Sequence, residues 1–320
     1  MKPDWDRLYS DETKFFPRLL QFGDVADPRF KYGINVNMEH SLYFWFPFST
    51  GNKQIEPVTM ANVAFSEDNI EGRPALILTL LNNNLKNLFD DLIGSLVLQT
   101  REQGNNATKF GFIALCNEWF ELFNPLASQL SKAEIQGIFA EVYFLKYLLI
   151  TSGSAFNEIL GSWKGPFGKG HDFELGVNLF EIKSRMENIP LVHISSEYQL
   201  DFLNGQNLFL VVCEFANQPG DGISVGALIL ETASILRTQT NVNMTLFWAA
   251  LGKVRLTFSN LNDYNEYLFT LKTVTSYNCI NPDFPAIRRS TIPNAVRNVK
   301  YELALNVLSV FEQSDLTPFI

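Results

Sequence analysis

The chain has 320 residues, which is enough for one elaborated domain or for two to three smaller units. Hydrophobic residues make up 46% and charged residues 18%, a balance typical of globular proteins and not of disordered ones. The net charge of −9 argues against a simple electrostatic DNA binder, although carboxylates that hold a cation would make an active site acidic by themselves.

The termini and cysteines favour a cytoplasmic protein. Met1–Tyr9 is charged and lacks the apolar segment of a signal peptide. No apolar run approaches the roughly 18 residues that a membrane span needs. Cys116, Cys213 and Cys279 lie in apolar stretches without a CxxC pair, which indicates buried, reduced thiols. The 28 phenylalanines predict a core rich in aromatic packing.

The N-terminal third changes its hydrophobic period along the chain. Ser41–Phe48 and Pro74–Leu81 are short apolar runs between polar turns, and we expect strands there. Asn84–Gln99 carries apolar residues at helical spacing, and Asn106–Phe123 continues in the same manner. Strands followed by two helices are therefore predicted.

The middle of the chain begins with a capped helix. In Ser131–Ile150, Ser131 and Glu134 have capping-box spacing. Gly161–Gly170 contains four glycines and a proline and is predicted to be a loop. Ser195–Leu203 is predicted to be a helix with a serine cap. The predicted strands of this region are His171–Leu175, Asn178–Ser184, Leu191–Ile194 and Asn207–Phe215, the last of them buried on both faces.

The C-terminal third has weaker patterns. Val225–Arg237 is predicted to be a strand leading into a helix, and Val299–Leu308 a closing strand. Leu246–Leu251 and Arg255–Phe258 are weaker strand candidates, and Tyr264–Ser276 is mixed.

Two acidic residues and a lysine occupy a predicted hairpin in the run HDFELGVNLFEIKS. Asp172 enters the first strand, the chain turns near Gly176, and Glu181 and Lys183 lie on the returning strand. Because alternate residues of a strand share a face, Glu181 and Lys183 project together while Ile182 faces the core. Two carboxylates and an ammonium group would then converge beside the glycine-rich loop.

That cluster contains the groups that phosphodiester hydrolysis requires. Mg²⁺ prefers oxygen ligands and usually takes one or two carboxylates, leaving positions for water and a substrate phosphate. The cation stabilises charge on the phosphate and lowers the pKa of the attacking water. A lysine beside it orients or deprotonates that water. A solvent-facing ladder of cross-strand charge pairs is the alternative interpretation of the same residues.

Asp172, eight intervening residues and then Glu181-Ile182-Lys183 resemble the PD-(D/E)XK motif of the restriction-endonuclease-like superfamily. The predicted order of helix, three strands, helix and strand is similar to the core of that superfamily. The resemblance implies that Glu141, on the helix before the hairpin, is a further metal ligand, unless it is only an exposed helix residue. His171 stands where the motif's name has proline.

The runs GIFAEVYFLKYLL, DFELGVNLFEIKS, VHISSEYQLD and LFLVV resemble an uncharacterised bacterial PD-(D/E)XK family from restriction-modification and phage-defence gene neighbourhoods. This implies an α/β (α+β) fold with a restriction-endonuclease-like core, in which helices flank a mixed β-sheet. The chain would divide into an N-terminal segment of strands and two helices (1–125), the nuclease core (126–217) and a C-terminal α/β extension packed on the core (218–320).

The resemblance also implies roles for single residues. The implied catalytic residues are Asp172, Glu181 and Lys183. The implied ligands of Mg²⁺, for which Mn²⁺ can substitute, are Glu141, Asp172, Glu181 and the backbone carbonyl of Ile182. Gln199 would support the site by touching the site or the backbone. His171, where the sequence departs from the motif, is a separate candidate that would support the site by a polar contact to water or phosphate. A capping or surface role is the alternative for the helix that carries Gln199.

Basic residues in two places are candidates for phosphate contacts. They are Lys164 and Lys169 in the glycine-rich loop, and Arg288, Arg289, Arg297 and Lys300 near the C-terminus. A simple connector and an ordinary solvated surface are the respective alternatives. His40 and His193 have no HxH or HExxH spacing, which argues against a histidine-based zinc site.

The leading hypothesis is a metal-dependent DNA endonuclease of a restriction-modification or anti-phage system. Such a protein would bind DNA and would form a homodimer for double-strand cleavage. It would act with a helicase, ATPase or methyltransferase partner. The alternative is a catalytically inactive nuclease-fold subunit that binds nucleic acid or assembles with an ATPase or helicase, which the acidic charge favours. An RNA-directed nuclease would use the same chemistry and stays open.

Overall fold

The structure is a computed structural model, and it describes residues 2–10, 15–23, 27–46, 54–104, 108–120, 123, 129–168, 170–239, 241–258 and 260–320. The described α-helices are α1 (Trp5–Tyr9), α2 (Lys86–Glu102), α3 (Lys109–Phe120), α4 (Lys132–Thr151), α5 (Phe156–Ser162), α6 (Val225–Leu236) and α7 (Met244–Lys253). The described strands are β1 (Arg18–Leu20), β2 (Phe30–Ile34), β3 (His40–Trp45), β4 (Val58–Thr59), β5 (Val63–Ile70), β6 (Arg73–Leu80), β7 (Phe173–Leu175), β8 (Asn178–Met186), β9 (Leu191–Ile194), β10 (Asn207–Phe215), β11 (Ile223–Ser224), β12 (Leu268–Phe269), β13 (Leu271–Asn278) and β14 (Tyr301–Ala304).

The chain forms two compact units, and both take residues from more than one stretch of sequence. The first unit comprises residues 1–127, 240–252 and 256–260. The second comprises residues 128–239, 253–255 and 261–320. Helix α7, which lies within the predicted C-terminal extension, therefore belongs to the first unit.

The first unit is built on a six-stranded antiparallel sheet in the order β1-β2-β3-β6-β5-β4. Its core is aromatic, as the phenylalanine content predicts. Phe44 of β3 stacks on Phe30 of β2 with ring centroids 4.8 Å apart, and on Phe112 of α3 with centroids 4.4 Å apart. All three rings are buried, so the sheet and α3 share one apolar layer.

The second unit contains a mixed four-stranded sheet in the order β13-β10-β8-β7. Strand β8 pairs parallel with β10 and antiparallel with β7, and β13 pairs antiparallel with β10. Helix α4 packs against β8 and α6. The sheet and its helices confirm the predicted α+β fold class, and the run NLFLVVCEF is the buried central strand that its composition predicts.

Most predicted elements of the second unit are present with shifted ends. Helix α4 begins with the predicted capping box, since the Ser131 hydroxyl accepts from the Glu134 amide and the Glu134 carboxylate accepts from the Ser131 amide. The run Val225–Arg237 is mainly helix α6, preceded by the short strand β11. The closing strand is limited to β14, which pairs with β9 outside the main sheet.

Four predicted elements are wrong. Leu246–Leu251 is part of helix α7 and not a strand, and Arg255–Phe258 is not a strand either. Ser195–Leu203 is not a regular helix, and only residues 197–200 form a turn. The predicted loop Gly161–Gly170 contains the end of α5 and a 3-10 turn at Gly165–Phe167.

The environment of the cysteines agrees with the prediction from the sequence. Cys116, Cys213 and Cys279 are all buried and free, as predicted. Among the described residues no helix combines the length and the apolar character that crossing a bilayer requires.

Candidate active site

A tight hairpin brings the predicted acidic residues together. Strands β7 and β8 pair with Phe173 opposite Phe180, and the chain reverses at Gly176, whose φ of +60° glycine adopts without the steric cost of a Cβ atom. Asp172 directly precedes Phe173 and Glu181 directly follows Phe180, so the two acids lie at the same end of the hairpin. The Asp172 Oδ2 atom accepts a hydrogen bond of 2.7 Å from the Ile182 backbone amide.

Helix α4 contributes the third carboxylate. Glu141 lies in the middle of this helix, and its Oε2 atom accepts a 2.8 Å hydrogen bond from the indole Nε1 of Trp163. A Cβ atom on Gly165 would lie 2.7 Å from that Oε2 and 2.8 Å from Asp172 Oδ1. The two carboxylate oxygens therefore face one point, and they cannot be further apart than the sum of these distances.

The predicted lysine is paired with the predicted glutamate of the motif. The Lys183 Nζ atom donates to Glu181 Oε1 at 2.7 Å. The Glu181 side chain is 1% exposed and the Lys183 side chain 16% exposed, so the carboxylate is buried and the lysine is partly buried. The pair shares one face of β8, as strand alternation predicts.

Burial dominates the electrostatics of the three acids. Desolvation, and then the charge of Asp172, raise the pKa of Glu141 to about 8 and that of Glu181 to about 8. Desolvation also raises the pKa of Asp172, while Lys183 and the Ile182 amide act in the opposite direction. If all three acids were ionised, they would outnumber the one ammonium, and a divalent cation would offset the excess negative charge.

The fit to a metal ion is partial. In the described part of the chain, no group of three or more His, Cys, Asp and Glu side chains is already arranged to hold a metal ion. The carboxylates instead bind Trp163, the Ile182 amide and Lys183. The donor chemistry still suits Mg²⁺, which needs only one or two carboxylates, and Glu141 and Asp172 turn oxygens towards a common point.

The supporting residues lie beside this cluster. Gln199 hydrogen-bonds Glu181, which lowers the pKa of that carboxyl, while its own carbonyl oxygen accepts from the Ser195 amide and hydroxyl. The His171 imidazole is buried and bonded to the backbone carbonyl of Asp201. Its Nε2 atom has no hydrogen-bond partner among the described residues.

The basic residues are placed unequally. Arg288 donates to the carbonyl oxygens of Leu200 and Cys279, and Arg289 donates to that of Val296, so both guanidinium groups brace the chain itself. Further exposed or half-exposed cations are Lys164, Arg297 and Lys300. Lys169 lies outside the described residues. Phosphate contacts by any of the six stay a prediction.

Sequence reasoning missed Trp163 and Gly165. Both belong to the stretch GSWKGPFGKG, where glycine content indicated only a loop. A tryptophan within a glycine-rich segment was the available signal, because so large an apolar side chain needs a buried partner. Its partner, Glu141, is 22 residues away in sequence and could not be inferred from local pattern.

A mixed sheet flanked by helices, with paired acids on a hairpin and a further acid on the preceding helix, defines the second unit as restriction-endonuclease-like. The family described as "Putative PD-(D/E)XK family member, (DUF4420)" matches residues 4–306. The chain therefore belongs to this family, and the match includes residues of both compact units. No curated protein and no solved structure matches the chain.

Proposed function

We propose that the protein is a metal-dependent DNA endonuclease of a restriction-modification or anti-phage system. The observation that supports this most is that Glu141 and Asp172 turn carboxylate oxygens towards one point, beside the Glu181–Lys183 pair. An ordinary surface ladder of charges would keep its acids in solvent, whereas Glu181 is buried. Buried acids with raised pKa values are typical of functional sites.

Each residue of the candidate site would have its own role in phosphodiester hydrolysis. A bound Mg²⁺ would supply positive charge for the phosphate and a more acidic water. Glu141 and Asp172 would bind the cation, and the Ile182 amide keeps Asp172 in place through its hydrogen bond. Lys183 would orient the attacking water and offset charge on the phosphate. Glu181 holds that ammonium in position.

The first test is cleavage of DNA by purified protein with Mg²⁺, Mn²⁺ or a chelator. We expect metal-dependent cleavage by the wild type, and a loss of at least about 100-fold in Asp172→Ala and Lys183→Ala, since removal of one charge-stabilising group commonly costs that much. Lys272→Ala is the matched control, because this lysine lies on the same sheet but forms an exposed pair with Glu187. A folded Asp172→Ala protein as active as the wild type would contradict the proposal.

The choice of substrate needs parallel reactions. Supercoiled plasmid, single-stranded DNA and an RNA hairpin, at equal nucleotide concentration, separate DNA cleavage from RNA cleavage. Faster metal-dependent cutting of RNA would replace the DNA proposal while leaving the role of the carboxylates intact.

A second candidate is a nuclease-fold subunit without turnover. Two observations favour it, namely that the described residues contain no ready-made metal cluster and that Lys183 already neutralises one carboxylate. Calorimetry with Mn²⁺ separates the two candidates. Absence of binding at millimolar Mn²⁺, together with nucleic-acid binding, would support the inactive subunit.

A further inference from the structure

The indole of Trp163 is fixed on several sides. Trp163 follows helix α5 and is 1% exposed, and its ring lies parallel to that of Phe173, with an interplanar angle of 5° and centroids 6.2 Å apart. The backbones of the two residues form an antiparallel bridge. The ring therefore has one orientation, and it is set by the hairpin that also carries Asp172.

The segment after Trp163 is attached to the same hairpin. The backbone amides of Lys164 and Gly165 both donate to the Asp172 carbonyl oxygen, at 2.8 and 3.0 Å. The Asp172 main chain thus anchors the turn, while its side chain forms part of the candidate site. Separation of this turn from Asp172 would break these bonds.

The indole has a single polar atom, Nε1, and this atom is hydrogen-bonded to Glu141. The indole is a donor without an acceptor, so its N–H can stabilise a carboxylate but cannot replace one. This hydrogen bond lowers the pKa of Glu141, in opposition to burial and to the charge of Asp172. The bond connects Trp163 to helix α4 through Glu141 Oε2, which lies with Asp172 Oδ1 near Gly165.

We propose that Trp163 is a positioning residue that orients Glu141 towards Asp172 for divalent cation binding. This inference rests on the proposed function, because it assigns Glu141 and Asp172 to the cation. Groups that orient metal ligands commonly contribute 10- to 100-fold to metal affinity, so we expect a loss of about that size without the indole N–H.

The test is Trp163→Phe, which keeps an aromatic ring for Phe173 and removes the donor. The matched control is Trp248→Phe, because Trp248 is equally buried and donates to Asp91 at 2.9 Å in the first unit. Mn²⁺ affinity is measured by calorimetry on the full chain. We expect weaker binding, by about 10- to 100-fold, for Trp163→Phe and unchanged binding for Trp248→Phe.

A spectroscopic signature separates positioning from a purely structural effect. In protein labelled with ¹⁵N-tryptophan, the Trp163 indole N–H resonance should shift with Mg²⁺ and with Glu141→Gln, and the Trp248 resonance with neither. If Trp163→Phe does not fold, Glu141→Gln identifies the Trp163 resonance and the Mg²⁺ titration decides.

The outcomes distinguish the role proposed for Trp163 from the nuclease function on which it rests. Wild-type affinity in a folded Trp163→Phe protein, or a Trp163 resonance indifferent to Mg²⁺, would overturn the role of Trp163 while the nuclease proposal stands. Absence of Mn²⁺ binding by the wild type would overturn both.

Discussion

Glu181 has an unfavourable environment for an acid. Its side chain is 1% exposed, with Lys183 as its cationic partner and Asp172 as a competing anion. Burial and Asp172 together raise its pKa from 4.5 to about 8. A folded state that binds a proton more tightly than the unfolded chain loses stability as pH rises between these two values. The metal-free protein should therefore be less stable near pH 8 than near pH 5.

Glu181→Gln tests this effect at the residue concerned. The amide cannot ionise, so we expect the unfolding temperature of the variant, measured with a chelator present, to fall less between about pH 5 and pH 8 than that of the wild type. One unit of pKa displacement corresponds to about 1.4 kcal/mol, so the difference should reach about 2 °C or more. The contact with Lys183 strengthens as Glu181 ionises, and its effect is already contained in the pKa of about 8. Parallel pH profiles for the two proteins would contradict the prediction.

At the scale of elements, the turn Gly165–Phe167 brings a backbone against the two carboxylates of the candidate site. A side chain at position 165 would displace the ends of the two acidic side chains, because a Cβ atom would lie 2.7 Å from Glu141 Oε2 and 2.8 Å from Asp172 Oδ1. Distances below 3.0 Å require one of these groups to move. The glycine is thus needed for space, in contrast to Gly176, which is needed for its positive φ.

Gly165→Ala should disturb the candidate site and spare the fold. We expect Mn²⁺ affinity to fall by about tenfold or more, because the new methyl group would displace the two carboxylates that are proposed to bind the cation. Gly161→Ala is the control, since a Cβ atom there meets nothing within 4 Å and alanine favours helix α5. Equal affinity in the two variants, measured by calorimetry, would refute the steric explanation.

Local sequence patterns correctly predicted those secondary-structure elements that are determined by residues close together in the chain. The cap of helix α4 follows from Ser131 and Glu134, and the hairpin follows from strand alternation around Gly176. Helix α7 was predicted as a strand because LFWAAL is apolar on nearly every side and shows no period. The segment around Gln199 was predicted as a helix, and its Gln199 side chain does accept from the Ser195 amide and hydroxyl, as at a helix start, but the chain forms only a turn there.

The candidate site was likewise predictable only where its residues lie close together in the chain. Asp172, Glu181 and Lys183 lie within twelve consecutive residues, so the hairpin alone brings them together. Trp163 and Gly165 act on Glu141 across separate elements, and no sequence period records such contacts. The structural use of Arg288 and Arg289 was likewise hidden, because a basic cluster looks the same whether its donors face solvent or carbonyl oxygens.

At the scale of the whole molecule, the two units cannot be separated by a single cut. Helix α7 belongs to the first unit although its sequence lies inside the second. Its buried residues include Phe247, Trp248 and Leu251, and Trp248 donates to Asp91. A chain that begins at residue 128 would retain this helix without the groups that cover it.

Truncation tests this arrangement. We expect residues 128–320 to aggregate when produced alone, because three large apolar side chains of α7 lose their burial. The same segment with residues 240–260 replaced by a short Gly-Ser linker should be monomeric in gel filtration. The ion pair lost by this replacement, Arg255 with Glu134, is exposed and contributes little. Equal solubility of the two segments would show that α7 needs no partner from the first unit.

The discontinuous first unit also constrains synthesis on the ribosome. Chains fold from the N-terminus as they emerge, yet the first unit lacks α7 until residue 253 has been made. By then the β7–β8 hairpin and its acidic residues have long left the exit tunnel. The nascent chain must therefore hold the first unit without α7, although all described strands of its sheet have been made, while most of the second unit forms. Early arrest of translation would release a species with exposed apolar surface.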